Sequence, residues 1–354
     1  MSTSIHPAQE LAVESSQVTM PANAGMRQLS GVLTATLRSI RKPRALLETG
    51  FYVQMSFAGA VILIVSILGC MMTSVEVPDA AASLAGVAIA IAAILPLIFY
   101  TREKGWLYLA DATATFLWAL FLYSLLNFPV TIAARLGRSI SLQDPAFIQL
   151  DRLLGIYVPG IESWAENHGL GNLSRQIYSA LIPLLEVSVL LPIVARKVRD
   201  TQQFLTANVI AFALGLPIFA LLPAIGPWYG YHLAARPDET ECQALIFLIR
   251  NSSTYLYHPP AGIICFPSFH VIWSILCAQA LWGFRWLRLP VSVLSLLIIL
   301  STMTLGVHYF CDVLAGILVA ALAILGAKRI EIAGRIKASS HVGLLVHVGA
   351  DPCE

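Results

Sequence analysis

Apolar residues in this chain come in runs long enough to cross a bilayer, broken by short polar segments where the charge collects. A membrane helix needs about 20 mostly apolar residues, and eight stretches meet that measure: 51–73, 84–100, 107–133, 176–195, 204–224, 268–283, 290–307 and 310–327. Only helices or closed barrels satisfy their backbone groups inside lipid, and runs this long are helical. The pattern predicts an all-α, polytopic membrane bundle of about eight transmembrane helices with no internal repeat. The sixth run is short, and the seventh and eighth are nearly contiguous.

The segments between the runs orient the bundle. Lysine and arginine concentrate on the cytoplasmic side of membrane proteins. With the N-terminus inside, sixteen of the 22 basic residues fall on one side of the alternation and six on the other, which predicts that both termini are cytoplasmic. Residues 1–26 are polar, lack the apolar core of a secretory signal, and read as a disordered tail. Residues 27–47 carry Arg27, Arg38, Arg41, Lys42 and Arg44 with Leu33, Leu37 and Ile40 at helical spacing. That suits a basic segment on an anionic membrane surface, or a solvated linker.

Two outer segments are long. Asp144-Pro145 reads as an N-cap with a first-turn proline, opening an interfacial helix whose apolar face holds Phe147, Leu150 and Leu154, with Asp151 and Arg152 off it. The loop 225–267 carries Trp228, Tyr229, Tyr231, Tyr255 and Tyr257, residue types that favour the headgroup layer, and can roof a lipid-headgroup site.

Composition narrows the function. Charged residues make up 12% of the chain and apolar residues 57%, against about 25% charged in soluble domains. A net charge of +2 and the absence of a dense basic block argue against a nucleic-acid partner. Lipids and the membrane are the expected partners. The alanine-rich spans point to a bacterial inner membrane. Six cysteines follow no metal-ligand spacing, although Cys242 and Cys265 share one loop and can pair in an oxidising compartment.

Chemistry enters at the ends of the sixth, seventh and eighth runs. Cys265-Phe266-Pro267-Ser268-Phe269-His270 opens the sixth, and Gly306-Val307-His308-Tyr309-Phe310-Cys311-Asp312 lies between the seventh and eighth. A buried imidazole is costly unless it has partners or a task. The alternation of spans puts both histidines on the outer face. Runs of sixteen and eighteen residues rise about 24–27 Å at 1.5 Å per residue, so the two ends reach similar depth. Ser268 at a helix start offers free N–H groups and a positive dipole end for a phosphate, with His270 one turn in as a proton donor. A capping serine beside an interfacial histidine is the plain alternative. His308 and Asp312, at i and i+4, share a helix face. A carboxylate on one ring nitrogen leaves the other free to attack, and Gly306 lets backbone approach a ligand.

These residues carry a resemblance. Pro-Ser-Phe-His at 267–270 and His-Tyr-Phe-Cys-Asp at 308–312 look like the second and third signature motifs of the type 2 phosphatidic acid phosphatase superfamily. Leu222-Pro223-Ala224-Ile225-Gly226-Pro227-Trp228-Tyr229 and the stretch Asp144–Gly155 are similar to its inositol phosphorylceramide synthase branch. The resemblance covers about 107–327, a six-helix catalytic core. It leaves 51–106 as an added hairpin, with cytoplasmic tails at 1–50 and 328–354.

The resemblance implies that His308 is a nucleophile forming a phosphohistidine, that Asp312 orients it, and that His270 protonates the leaving group. The substrate is a lipid phosphate or phospholipid at the non-cytoplasmic face, and no metal or other cofactor is implied. The family's first motif is absent, and Thr302 stands where an arginine is expected. Transferring phosphoryl groups need positive charge around them. Arg135 and Arg138, at the outer end of the third run, are the first substitutes, ahead of Arg236 and Arg250. Ser268 and Gly306 complete the expected phosphate-binding set.

Two other readings remain. A transporter or flippase would use the intramembrane carboxylate Glu186, with Asp111 a lesser candidate, and the histidines as a proton relay. Alternatively, two histidines and one carboxylate form a metal site.

Overall fold

The computed structural model describes residues 50–77, 96, 98, 100–257 and 262–348, with side chains described as far as residue 333. The N-terminal tail with the basic segment at 27–47, most of the second predicted span and residues 349–354 lie outside the described residues, whereas 328–348 of the expected C-terminal tail continue the last helix. Helix α1 spans Gly50–Thr73 and leads into the two-residue strand β1, Val75–Glu76. There follow α2 (Leu107–Leu136, prolonged by a 3-10 turn to Ser139), α3 (Asp144–Leu153), α4 (Val158–Asn167), α5 (Gly171–Ser179), α6 (Leu181–Val194) and α7 (Val198–Leu221). The rest comprises α8 (Pro227–Gly230), α9 (Pro237–Asn251), β2 (Tyr255–Leu256), α10 (Phe269–Ala280), α11 (Arg288–Thr304) and α12 (Phe310–Val348). The two strands form one parallel ladder, Val75 opposite Tyr255.

Among the described residues, five helical stretches are long and apolar enough to cross a membrane: 50–73, 107–139, 171–194, 198–221 and 310–333. Two more, α10 and α11, are apolar but shorter. The protein is an all-α integral membrane bundle. Its outward side chains agree: Phe57, Met72, Tyr123, Ile182, Val194 and Leu318 are more than half exposed, as a lipid-facing surface requires.

α7 sits centrally, packed against α12, α2, α10 and α6. Small residues permit these close crossings: Ala207 and Ala211 on α7, and Ala320, Ala323 and Ala327 on α12, are all buried. Gly316 matters most for the site. A Cβ there would lie 2.8 Å from the Ser268 carbonyl and 2.9 Å from Val271 Cβ, so only glycine lets the first turns of α10 and α12 meet. Trp273 donates to Asn208 at 3.0 Å and Ser295 to the Ser274 carbonyl at 2.9 Å, tying α10 to α7 and α11.

The fourth predicted span is two helices, α5 and α6, and the sixth contracts to the twelve residues of α10. Twelve residues rise only about 18 Å, and the shortening falls mainly at the far end, since α10 opens at Phe269, directly after the expected Ser268, and stops at Ala280. The loop after α8 is itself helical. Arg236-Pro237-Asp238-Glu239 starts α9 with proline and acids in its first turn, and the Glu239 carboxylate accepts the Arg236 N–H at 2.7 Å. These are standard start signals.

Candidate active site

The start of α10, the end of α11 and the start of α12 converge at one end of the bundle. α11 closes with two backbone bonds, Gly306 N–H to Met303 O and Val307 N–H to Thr302 O, both at about 3.0 Å. This is a Schellman ending, which needs a left-handed residue, and Gly306 supplies φ +66°. Four residues later α12 begins, and the short link holds His308, 4% exposed.

Asp312 is fully buried. Its Oδ2 lies 3.3 Å from His308 Nδ1 and accepts the Tyr309 N–H at 2.8 Å and the Cys265 thiol at 3.2 Å. The Cys311 thiol approaches Oδ1 at 3.8 Å. The carboxylate therefore fixes His308 with Nδ1–H towards it and leaves Nε2 with a free lone pair. Across the gap the His270 ring stands 6.0 Å from the His308 ring, centroid to centroid. His270 is held by Tyr178, whose ring stacks on it at 3.9 Å and whose hydroxyl meets Nδ1 at 3.2 Å. Nε2 of His270 is thus left for a ligand as well.

Ser268 caps α10, its Oγ accepting the Val271 N–H at 3.4 Å, and its own N–H donates to the Asp312 carbonyl at 3.2 Å. That N–H is spent on joining the two stretches. The N–H groups of Phe269 and His270, at the dipole's positive end, make no intramolecular hydrogen bond among the described residues, and these are the donors available to an anion.

α3 supports the site in a way that corrects the sequence-based expectation. Asp144 is the first helical residue, Gln143 the cap. The Asp144 carboxylate accepts the Ile225 and Gly226 N–H groups at 3.1 and 2.9 Å and the Tyr309 hydroxyl at 3.0 Å. Burial raises its carboxyl above the ordinary range, opposed by those three donors. Asp151, off the apolar face as expected, is completely buried and accepts the Phe310 and Cys311 N–H groups at 2.8 and 2.9 Å. It caps α12 from another helix. Asp144, Phe147 and Asp151 turn inward, whereas Leu150, Leu153 and Leu154 are exposed. At a membrane surface the apolar face looks outward and the polar face holds the protein together.

The expected arginines divide. Arg135 is 1% exposed, and all five of its N–H groups go to backbone carbonyls of Thr73, Ile249, Ser252 and Ser253. It has no donor for a phosphate and instead pins the end of α1 to α2 and α9. Arg250 makes three hydrogen bonds of the same kind, to the carbonyls of Gly137, Arg138 and Ile140. Arg138 is exposed, and no contact ties its side chain to the histidines. Arg236 is the one that reaches the site. It bonds Glu239 and, at 3.3 Å, Glu162, and the Glu162 carboxylate presses against Gly306. Burial raises the Glu162 carboxyl, opposed by Arg236. A Cβ on Gly306 would collide with that carboxylate, so the glycine serves the turn and this contact together.

Glu186 is exposed on α6, on the side away from buried Leu184 and Ser188, and does not line a relay to the histidines. Asp111 pairs with Arg102 at 3.5 Å. Cys242 bonds the Gly262 carbonyl and Cys265 bonds Asp312, both as free thiols.

Residues 145–326, more than half of the chain, match the PAP2 superfamily. The chain belongs to the PAP2 superfamily. No curated protein and no solved structure matches it. As a PAP2 protein it is a membrane enzyme of the phosphatase or phosphotransferase type. The PAP2 match contains α3, both histidine stretches and α12 as far as Gly326. Thr302, where the superfamily pattern expects arginine, is fully buried, and its carbonyl accepts the Val307 and His308 N–H groups. In this PAP2 site the position shapes the turn that carries His308.

Proposed function

We propose that the protein cleaves or transfers a phosphoryl-bearing group of a lipid through a phosphohistidine on His308. The observation that carries this reading is the pairing of the imidazoles: two rings 6.0 Å apart, each anchored through Nδ1 to a separate partner, with both Nε2 atoms free.

In the first half-reaction His308 Nε2 attacks phosphorus, and Asp312 stabilises the ring as positive charge develops. The P–O bond to the leaving group breaks, and His270, entering as imidazolium, gives that oxygen a proton. In the second half, neutral His270 takes a proton from water or a lipid hydroxyl, which attacks phosphorus and frees His308. The equatorial oxygens rest on the Phe269 and His270 N–H groups, and Arg236 moves from Glu162 onto the phosphate.

The reading extends to an inositolphosphotransferase or phosphosphingolipid synthase. Its support is that the two stretches resembling that branch, 144–155 and 222–229, bond directly to the His308 turn through Asp144, Asp151 and Gly226. The reading puts the site on the non-cytoplasmic face with both termini inside, for which the sixteen-to-six split of basic residues is the support. It puts the protein in a bacterial inner membrane, for which the alanine-rich spans are the support. Residues 107–327 form the catalytic core. α1 adds to it, with Phe51 and Met55 in the shared hydrophobic cluster.

The test is turnover by purified protein against a panel of lipid phosphates and phosphatidylinositol, with and without acceptor lipids, measuring free phosphate against new phospholipid. The reading expects activity on at least one substrate and loss of about 1,000-fold or more in His308→Ala, the scale of removing a covalent nucleophile. Unchanged turnover in that variant would remove the mechanism.

A further inference from the structure

Three ligand-type atoms of different chemistry meet at His308: the Cys265 thiol, a His308 ring nitrogen and the Asp312 carboxylate, all within 4.8 Å of one another. The thiol is 3.2 Å from Asp312 Oδ2 and Nδ1 is 3.3 Å from the same oxygen. Zinc holds sulfur at about 2.3 Å and nitrogen or oxygen at about 2.0–2.2 Å in a tetrahedron, so neighbouring ligands stand roughly 3.3–3.7 Å apart. The two separations to Asp312 Oδ2 already have nearly that size, and the third, sulfur to ring nitrogen, is at most 4.8 Å. Cys311 offers a second thiol on the other carboxylate oxygen.

We propose that Cys265, His308 and Asp312 form an inhibitory site for a thiophilic divalent cation such as zinc or cadmium. The proposal rests on the assignment of His308 as nucleophile for its inhibitory consequence, though not for the binding itself. Binding displaces the Cys265 proton to solvent. It also takes the Nδ1 lone pair, so the His308 proton moves from Nδ1 to Nε2. The ring stays neutral, yet the atom that must attack phosphorus now carries hydrogen and has no lone pair. One thiolate and one carboxylate balance the dication, which suits a site with almost no exposed surface. Magnesium and calcium, which want six or more oxygen ligands, find one carboxylate and do not bind.

The same chemistry separates this site from a catalytic one. A metal on Nδ1 competes with the tautomer the reaction needs, so it silences the centre and supplies no hydroxide to it. His270 stays outside the ligand set, with its Nδ1 already on Tyr178.

The experiment titrates cobalt(II), a spectroscopic stand-in for zinc, into the purified full chain in micelles. The expected result is a thiolate-to-cobalt charge-transfer band saturating at one ion per chain, bleached by zinc and absent in both Cys265→Ala and Cys265→Ser. In parallel, zinc lowers wild-type turnover at least tenfold, magnesium leaves it unchanged, and chelator restores it. Each variant is compared with its own zinc-free rate, and its ratio falls below about twofold. Size-exclusion profiles confirm that the variants are folded, and the serine variant serves if alanine is not. No charge-transfer band, or a band that persists without Cys265, overturns the site. A cobalt band in a protein with no lipid turnover leaves the site standing and sinks the catalytic reading alone.

Discussion

Asp151 gives the sharpest prediction about how the site is built. Its buried carboxylate accepts two backbone N–H groups in the first turn of α12, the turn that carries Asp312. A hydrogen bond to a charged group contributes roughly 1.5–3 kcal/mol, so Asp151→Ala, which removes two, should cost about 3–6 kcal/mol. Asp151→Asn keeps one carbonyl acceptor and turns an NH2 group towards the other N–H, so about half of that loss is expected. The kinetic effect follows from position: with α12 uncapped, Asp312 and His308 lose register, and a displacement near 1 Å costs about 100-fold in rate. The assay pairs chemical unfolding in micelles with steady-state kinetics. The expected outcome is a graded loss, wild type over Asn over Ala, with kcat falling and KM changing by less than about threefold. An alanine variant that unfolds like wild type and turns over within about twofold of it would refute the trans-capping account.

Arg135→Ala should destabilise the fold by several kcal/mol, because it orphans carbonyls of four residues on two segments; kcat per folded molecule, measured after size exclusion, should stay within about threefold, and a selective loss of kcat would return Arg135 to the phosphate site. Gly306→Ala puts a side chain at φ +66° and against Glu162, so about 1–2 kcal/mol or more should be lost; adding Glu162→Ala should recover the collision part but not the backbone part. Burial raises the Glu162 and Glu239 carboxyls. A raised carboxyl stabilises the folded state fully below its unfolded value near 4, and that contribution is lost as pH climbs through the folded value. Unfolding midpoints should therefore decline on that climb, and the Glu162→Gln, Glu239→Gln double variant should flatten the slope.

The bundle and the meeting of the histidines were legible because both rest on local rules. Long apolar runs have one solution in lipid, and counting spans fixes which ends surface together. What escaped the sequence depends on distant partners. Arg135 sat correctly at the end of its span, but its five acceptors come from segments around 73 and 249–253, and nothing nearby in the chain announces them. Asp144 was read only as a local cap and Phe147 was grouped with Leu150 and Leu154, whereas Phe147 turns inward beside Asp144 and Asp151, because the partners of this face lie far away in the chain. Cys265 was read for pairing within its loop, while its partner is the carboxylate 47 residues on. The start of α9 was readable: proline and acids after Arg236 are an ordinary helix opening.

The central claim is that His308 carries the phosphoryl group while His270 serves the leaving and entering oxygens. It is tested most directly by quenching the enzyme during turnover of a phosphorus-labelled substrate and mapping the acid-labile, alkali-stable label. The account predicts label on His308, absent in His308→Ala and accumulating in His270→Ala, where the second half-reaction has lost its base. Turnover without label in all three proteins, or label on another side chain, would contradict it.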